Sequence, residues 1–332
     1  MNTLARFAIT LLVLLGLGGC QDENRPRIEA VTTASAASPE SGKATGNLPR
    51  IALVMKSLSN PYFIEMEKGA RQAQTENRAE LFVKAVGLET SIDQQIQFID
   101  DIINNKSADA IVIVPTDSSR LAPVIARAHK AGIHIINLDT RLDADALAQE
   151  GIDPLPFIGV DNHRAAYKAA AHLAASLPPK SEVAIIGGNS NTINVLRRRE
   201  GARQAFETAG MRLVASRSSW TIEQAHEITG NLLKQNPELR GIYCISDLIA
   251  LGVIRYLADH GIRQVKVAGF DGIPQARAAL ASNQMVATVD QRPAEQGYLS
   301  VKAALDAIAG KPVTGQIKVE TELLTRTSVR QP

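Results

Sequence analysis

Residues 51–63 read Ile-Ala-Leu-Val-Met-Lys-Ser-Leu-Ser-Asn-Pro-Tyr-Phe, and this stretch decides the fold. Ile51–Met55 is a continuous apolar run of strand length, with no polar partner face. Such a run suits a strand covered on both sides, as in a parallel sheet. Asn60-Pro61 then places a proline at the first turn of a helix, where its missing N–H costs nothing. One strand, one polar turn and one helix make the unit that the rest of the chain repeats.

Further apolar runs follow at Leu81–Val86, Ala110–Val114, His134–Leu138, Phe157–Val160, Val183–Ile186, Leu213–Ala215, Gly241–Ile245, Val265–Phe270 and Met285–Val289. Helix-period segments lie between them. Ile92, Ile96, Ile99 and Ile103 form one apolar stripe, with Ser91 placed to cap it. Strand–helix alternation of this kind predicts an α/β fold with parallel, doubly wound sheets. About 280 residues exceed what one hydrophobic core carries, so two similar lobes are expected. Residues 142–156 read as a long loop containing Asp153-Pro154-Leu155-Pro156.

The N-terminus sets a compartment. Met1–Arg6 carries a positive charge, and Phe7–Leu17 is an apolar run of 11 residues broken only by Thr10 and Gly16. A spanning helix needs about 20 residues, so this run reads as a signal peptide, residues 1–19. Leu17-Gly18-Gly19-Cys20 resembles a bacterial lipobox, which implies that Cys20 is lipidated. Residues 20–48, rich in Ala, Ser, Thr and Pro, then form a tether spanning roughly 30 Å. The other cysteine, Cys244, lies in an apolar run and reads as a buried small hydrophobe.

Composition excludes several functions. Without residues 1–19 the 36 bases lose Arg6, leaving 35 against 34 acids. No basic excess marks a nucleic-acid surface, and Arg197-Arg198-Arg199 is too short a run for one. No nucleophile elbow, no phosphate loop ending in Gly-Lys-Ser/Thr and no His-Glu-x-x-His pair is present, and no histidines stand at ligand spacing. The sequence therefore predicts no catalysis, no metal and no cofactor.

Ligands of open parallel sheets bind beyond the carboxyl ends of the strands. The polar residues there are Asn60, Tyr62 and Phe63, then Asp139 and Arg141, then Arg198 on a helix. Trp220, Ser246, Asp271 and Gln291 complete the set. Carboxylates, arginines and amides make strong hydrogen bonds to hydroxyls, and aromatic faces stack on the C–H side of a sugar ring. Other readings stand beside these. Asp139 and Asp271 also fit strand-end turns or helix caps, Tyr62 and Phe63 fit a core, and Trp220 fits a core or surface position just before a helix. Adjacency allows at most one of Tyr62 and Phe63 to face straight inward. Steps of 100° send the three arginines different ways, which leaves Arg198 as the cleft candidate and two solvated neighbours. A cleft Asp271 is expected to matter for binding and little for stability.

Over residues 49–330 the chain resembles the ribose-binding branch of the periplasmic sugar-binding family. The matching stretches are Ser57–Phe63, Pro115-Thr116-Asp117, Ile136–Asp139, Gly159–Asn162, Asp247–Gly252, Val267–Gly272 and Ala287–Pro293. The resemblance implies a type I binding-protein fold, its two lobes joined by three hinge crossovers. Residues 49–160 with 292–320 would form one lobe, and 161–291 with 321–332 the other. It implies the ten ligand-binding residues named above, a monosaccharide or polyol ligand, an ABC transporter permease as partner and a monomeric receptor. The expected location is the periplasmic face of the envelope, or the cell surface in an organism with one membrane. A receptor that presents its ligand to a sensor kinase or chemoreceptor is the alternative. The chain departs from the family pattern where Thr140 splits the Asp-Arg pair, where Ser246 replaces Asn, and in the long 142–156 stretch.

Overall fold

A computed structural model describes residues 47–188, 192–219 and 221–329. The first part runs β1 (Arg50–Met55), α1 (Pro61–Asn77), β2 (Glu80–Ala85), α2 (Ile92–Asn105), β3 (Ala110–Ile113), α3 (Ala122–Lys130), β4 (His134–Leu138), α4 (Ala144–Gln149) and β5 (Phe157–Gly159). There follow α5 (Asn162–Ala175), β6 (Glu182–Ile186), α6 (Ile193–Thr208), β7 (Arg212–Arg217), α7 (Ile222–Gln235), β8 (Leu239–Cys244), α8 (Asp247–Asp259) and β9 (Lys266–Ala268). The chain closes with α9 (Pro274–Ala281), β10 (Thr288–Asp290), α10 (Pro293–Ile308), β11 (Gln316–Lys318) and β12 (Glu322–Leu324).

Two parallel sheets organise these elements. One has the order β11-β5-β4-β3-β1-β2 and the other β7-β6-β8-β9, while β10 and β12 form a separate antiparallel pair. In the first sheet Ile51 aligns with Leu81 on one side and Ala110 on the other. The alternation of β1 explains its unbroken apolarity. Ile51, Leu53 and Met55 enter the larger core cluster, and Ala52 and Val54 enter the cluster on the other face. The chain leaves the first sheet after β5, builds the second with β6 to β9, and returns to the first at β11, with β10 and β12 of the separate pair on either side of that return.

Local signals explain the helix starts. Asn60 caps α1 by accepting from the Tyr62 N–H at 3.0 Å, and Pro61 follows it. Ser91 occupies the cap position of α2 but makes no side-chain bond to the helix. The stripe on α2 packs as read, with Ile99 buried and Ile92, Ile96 and Ile103 partly buried against one cluster.

The 142–156 stretch is not a plain loop. Asp143 caps α4 by accepting from the Ala146 N–H at 2.8 Å, which gives the added residues a helix of their own. Cys244 is fully buried, and burial pushes its thiol pKa well up. No helix among the described residues is long and apolar enough to cross a membrane.

Glycines sit where helices cross. A Cβ on Gly297 of α10 would lie 2.0 Å from the Met66 carbonyl oxygen of α1, and one on Gly69 would lie 1.8 Å from that of Ala294. The two backbones therefore touch directly, and no side chain fits between them.

Candidate functional site

The carboxyl ends of both parallel sheets face one cavity. From the first sheet's loops come Lys56, Asn60, Tyr62, Phe63, Glu89 and Asp139. From the second come Asn194, Arg198, Ser246 and Asp271, with Val195, Ile245 and Leu248 as apolar lining.

Arg198 is the hub of the second side. Its Nε donates to Asn162 Oδ1 at 2.6 Å and its Nη1 to the Ile245 carbonyl at 3.0 Å. Nη1 also pairs with Asp271 Oδ1 at 3.3 Å, and Nη2 donates to Gln291 Oε1 at 3.2 Å. Its guanidinium carbon stacks 3.9 Å from the Phe270 ring centroid. Asp271 Oδ1 accepts a further bond from Gln291 Nε2 at 2.8 Å. Its Oδ2 accepts from the Asp247 N–H at the start of α8, at 3.4 Å. The cap reading and the cleft reading of Asp271 therefore hold together, because the same carboxylate meets α8 and lines the cavity.

Asp139 organises the facing side. Its Oδ1 accepts from the Tyr62 hydroxyl at 2.8 Å and its Oδ2 from Thr140 Oγ1 at 2.9 Å. Lys56 Nζ donates to Thr140 Oγ1 at 3.0 Å. Asn194 reaches across from α6, its Nδ2 donating to the Asp139 carbonyl at 3.2 Å and to Thr140 Oγ1 at 3.4 Å. Asp139 and Asp271 both occupy positive-φ backbone, at 60° and 130°.

Electrostatics at the site are governed by burial. Asp271 is held well above the usual carboxylate range by burial, with Arg198 opposing and the Asp247 charge adding. Burial likewise pushes the fully buried Asp247 up to about 6, although Thr288 Oγ1 and the Ile273 N–H donate to it at 2.7 and 3.0 Å. Tyr62 is raised, first by burial and then by the Asp139 charge.

A native carboxyl with a raised pKa binds its proton more tightly than the unfolded chain does. Its contribution to stability is full below about pH 4 and is lost as pH rises through about 6. Asp247→Asn is expected to reduce the fall in stability between about pH 4.5 and 7, measured by urea unfolding beside wild type. Equal slopes in the two proteins would place the effect elsewhere.

The sequence-derived residues separate clearly. Asn60, Tyr62, Phe63, Asp139, Arg198, Ser246 and Asp271 line the cavity together, and Gln291 stands behind it, bonded to Arg198 and Asp271. Tyr62 and Phe63 both line it, which corrects the expectation of one. Their rings meet edge to face, with centroids 5.1 Å apart at 76°. Arg141 lies apart from this group. With Thr140 taking the place beside Asp139, its guanidinium stacks 3.9 Å from the Phe157 ring centroid and donates to Gln316. Arg197 is exposed, whereas Arg199 is half-buried and donates to the Gly187 and Gly188 carbonyls, so only one neighbour of Arg198 is solvated. Trp220 and Cys20 lie outside the described residues.

Sequence reasoning missed Lys56, Glu89 and Asn194. Lys56 directly follows β1 and was within reach of the strand-end rule; Glu89 lies beyond β2, whose loop was not read. No local pattern marks Asn194. Among the described residues no group of His, Cys, Asp and Glu could hold a metal.

Two parallel α/β sheets whose strand ends share a polar and aromatic cavity define a two-lobed solute-binding protein. Residues 51–312 match the family described as periplasmic binding protein domain, and the chain belongs to that family. The D-ribose/D-allose-binding protein of Pseudomonas aeruginosa is 36% identical over 289 residues, 85% of this chain and 90% of that protein. The D-allose-binding periplasmic protein of Escherichia coli is 36% identical over 260 residues, 77% of this chain and 83% of that one. An ABC transporter periplasmic solute-binding protein from Actinobacillus succinogenes, solved with bound D-allose, superposes with a TM-score of 0.81. It is 35% identical, over 85% of this chain and 99% of its own. The names of all three relatives are those of sugar-binding proteins or of a solute-binding protein with a bound sugar.

Proposed function

We propose that this chain is a lipid-anchored, monomeric and non-catalytic receptor. It captures an aldose of the allose or ribose kind and delivers it to an ABC transporter permease. The observation that carries this is the cavity in which Asp139, Tyr62 and Phe63 oppose Arg198 and Asp271. Hydroxyls of a pyranose would donate to the two carboxylates, and Lys56, Asn60 and Arg198 would donate to its oxygens. The Tyr62–Phe63 pair, with Trp220 as a proposed second wall, would cover its C–H faces. Ser246 lines the same cavity. The names of the relatives support allose as the first ligand to test.

The cavity encloses about 50 Å³, well below the roughly 300 Å³ at which ligand pockets begin. The walls must therefore part to admit a ring. We assign the moving bodies to residues 49–160 with 292–320 and to 161–291 with 321–332. Contacts on both bodies favour the closed form only through differential affinity. Uptake is preferred to sensing because the similar Actinobacillus succinogenes protein is described as an ABC transporter solute-binding protein.

Trp220 is the only tryptophan, so its emission reports ligand without interference. Adding D-allose is expected to change that emission and to saturate with the affinity found by calorimetry, and Trp220→Ala should bind at least tenfold more weakly, about 1.4 kcal/mol. Silence toward D-allose, D-ribose and a panel of other aldoses and polyols would falsify the receptor reading. Cys20→Ser is expected to release the protein from membranes at high salt, because multiple acylation is the proposed anchor. A variant that fractionates like wild type would remove the anchor.

A further inference from the structure

Arg141 leaves the sugar cavity for another one. With Arg197 and Lys318 it lines an open cavity of about 690 Å³ beside the crossover from β5 to α5. Three full cations thus meet one lining carboxylate, Asp161. Their counter-charges are weak. Lys318 Nζ stands 3.7 Å from Asp161 and 3.9 Å from Glu320, both longer than a hydrogen bond. Arg197 has one exposed partner, Glu200, at 3.0 Å. Arg141 is half-buried on Phe157, and its polar partner is the neutral Gln316, at 2.8 Å. Among the described residues it has no carboxylate partner.

Asn162, nine-tenths buried, lines the same cavity. Arg198 is a donor only, so Asn162 must present Oδ1 to it, at 2.6 Å. This fixes the amide and leaves Nδ2 to the other side, where it donates to no described atom. An amide donor left over beside the Arg141 guanidinium, which has no carboxylate partner among the described residues, is suited to an oxygen-rich anion. Ile193, the first residue of α6, lines the cavity, so that helix N-terminus adds positive potential, whereas α5 begins there under the Asp161 carboxylate cap.

We propose that this cavity is a second binding site, for a small oxyanion such as inorganic phosphate, held by Arg141, Arg197, Lys318 and the Asn162 amide. Arg141 and Lys318 are carried beside the first sheet and Arg197 by α6, so a bound anion ties together the two sides of the sugar cavity. Asn162 shares its amide between the anion and Arg198, and Asn194 lines both cavities. Binding at one site therefore strengthens binding at the other by the same factor. The coupling rests on the receptor reading, whereas the anion site does not.

Thermal melts in phosphate, against sodium chloride of equal ionic strength, test the site itself. Phosphate is expected to raise the wild-type Tm in a saturable way. Arg141→Gln and the double variant Arg197→Gln/Lys318→Gln are expected to lose that rise. The double variant changes exposed side chains, so its fold is secure where Arg141→Gln disturbs packing on Phe157. Calorimetry with D-allose tests the coupling, with affinity expected to tighten about fivefold in phosphate for wild type only. In chloride the double variant should bind D-allose as wild type does. A phosphate rise no larger than that of chloride, or one unchanged in both variants, overturns the site. So does a sugar phosphate that shifts the melt where free phosphate does not, since the anion would then belong to the sugar ligand. A rise with unaltered D-allose affinity overturns the coupling and keeps the site. If no sugar binds in chloride, the receptor reading fails while the melts still decide the anion site.

Discussion

Arg198→Ala is expected to lose about 3–5 kcal/mol of folding stability and all measurable sugar binding. The side chain is 10% exposed and is, among the described residues, the one cation paired with Asp271, whose neighbour Asp247 is also buried. Truncation leaves the buried Asp271 carboxylate without its guanidinium partner and strips a donor from Asn162, Gln291 and the Ile245 carbonyl. Breaking a buried pair from one side costs far more than the pair contributes. Urea unfolding at pH 7 and pH 5 measures it. The deficit should narrow at pH 5, where Asp247, pushed by burial up to about 6, takes up a proton, and burial favours the protonated form of Asp271 as well. A deficit equal at both pH values would make lost packing on Phe270, rather than uncompensated charge, the cause. The same geometry weighs against the expectation that Asp271 matters little to stability, since its loss would leave the buried Arg198 without its carboxylate partner.

Gly297→Ala opposes two effects of known size. Replacing a helical glycine by alanine favours the helix by about 1 kcal/mol. The added carbon, however, would sit 2.0 Å from the Met66 carbonyl oxygen and 2.9 Å from its carbon, both backbone atoms that cannot rotate away. Helices α1 and α10 would have to separate along a crossing also closed by Gly69. Overpacking costs about 1–3 kcal/mol and occasionally more, so a net loss of about 2 kcal/mol is expected for alanine. Gly297→Leu should fail to give soluble protein. Chemical denaturation reads the alanine variant directly, and a gain in stability would show that the helices part easily.

The ten apolar runs each overlap a strand of the structure, from β1 to β10, and in the fully buried strands such as β3 and β6 the signal is carried by composition alone. Elements β11 and β12 were illegible for the opposite reason. Gln316–Lys318 is exposed throughout, and its pairing with β5 is made by backbone atoms that any sequence supplies. Helix α4 is a single capped turn and a half, too short for a period to register. At the site, residues that follow a strand directly were readable, and Asp139, Ser246 and Asp271 do line the cavity. Arg198 was separable from its neighbours by helical geometry. Asn194 was not, because its importance comes from a contact with the Asp139 carbonyl, 55 residues away in sequence. Arg141 shows the reverse failure, where one inserted threonine re-aims a side chain that spacing had placed in the cavity.

The backbone under the two cleft carboxylates limits how this protein can be altered. Asp139 at φ 60° and Asp271 at φ 130° hold conformations that β-branched and bulky residues adopt only under strain. Changing either to valine, leucine or phenylalanine would alter the proposed ligand contact and distort the chain together, so a lost affinity there could not be read as lost recognition. Asparagine and glycine are the replacements the backbone accepts. A search for altered sugar preference, by selection or by library, has more freedom at Lys56, Asn194 and Ser246, which line the same cavity from backbone outside the positive-φ set. Divergence of ligand choice among chains of this architecture is therefore expected to accumulate at those three positions while the two aspartates stay fixed.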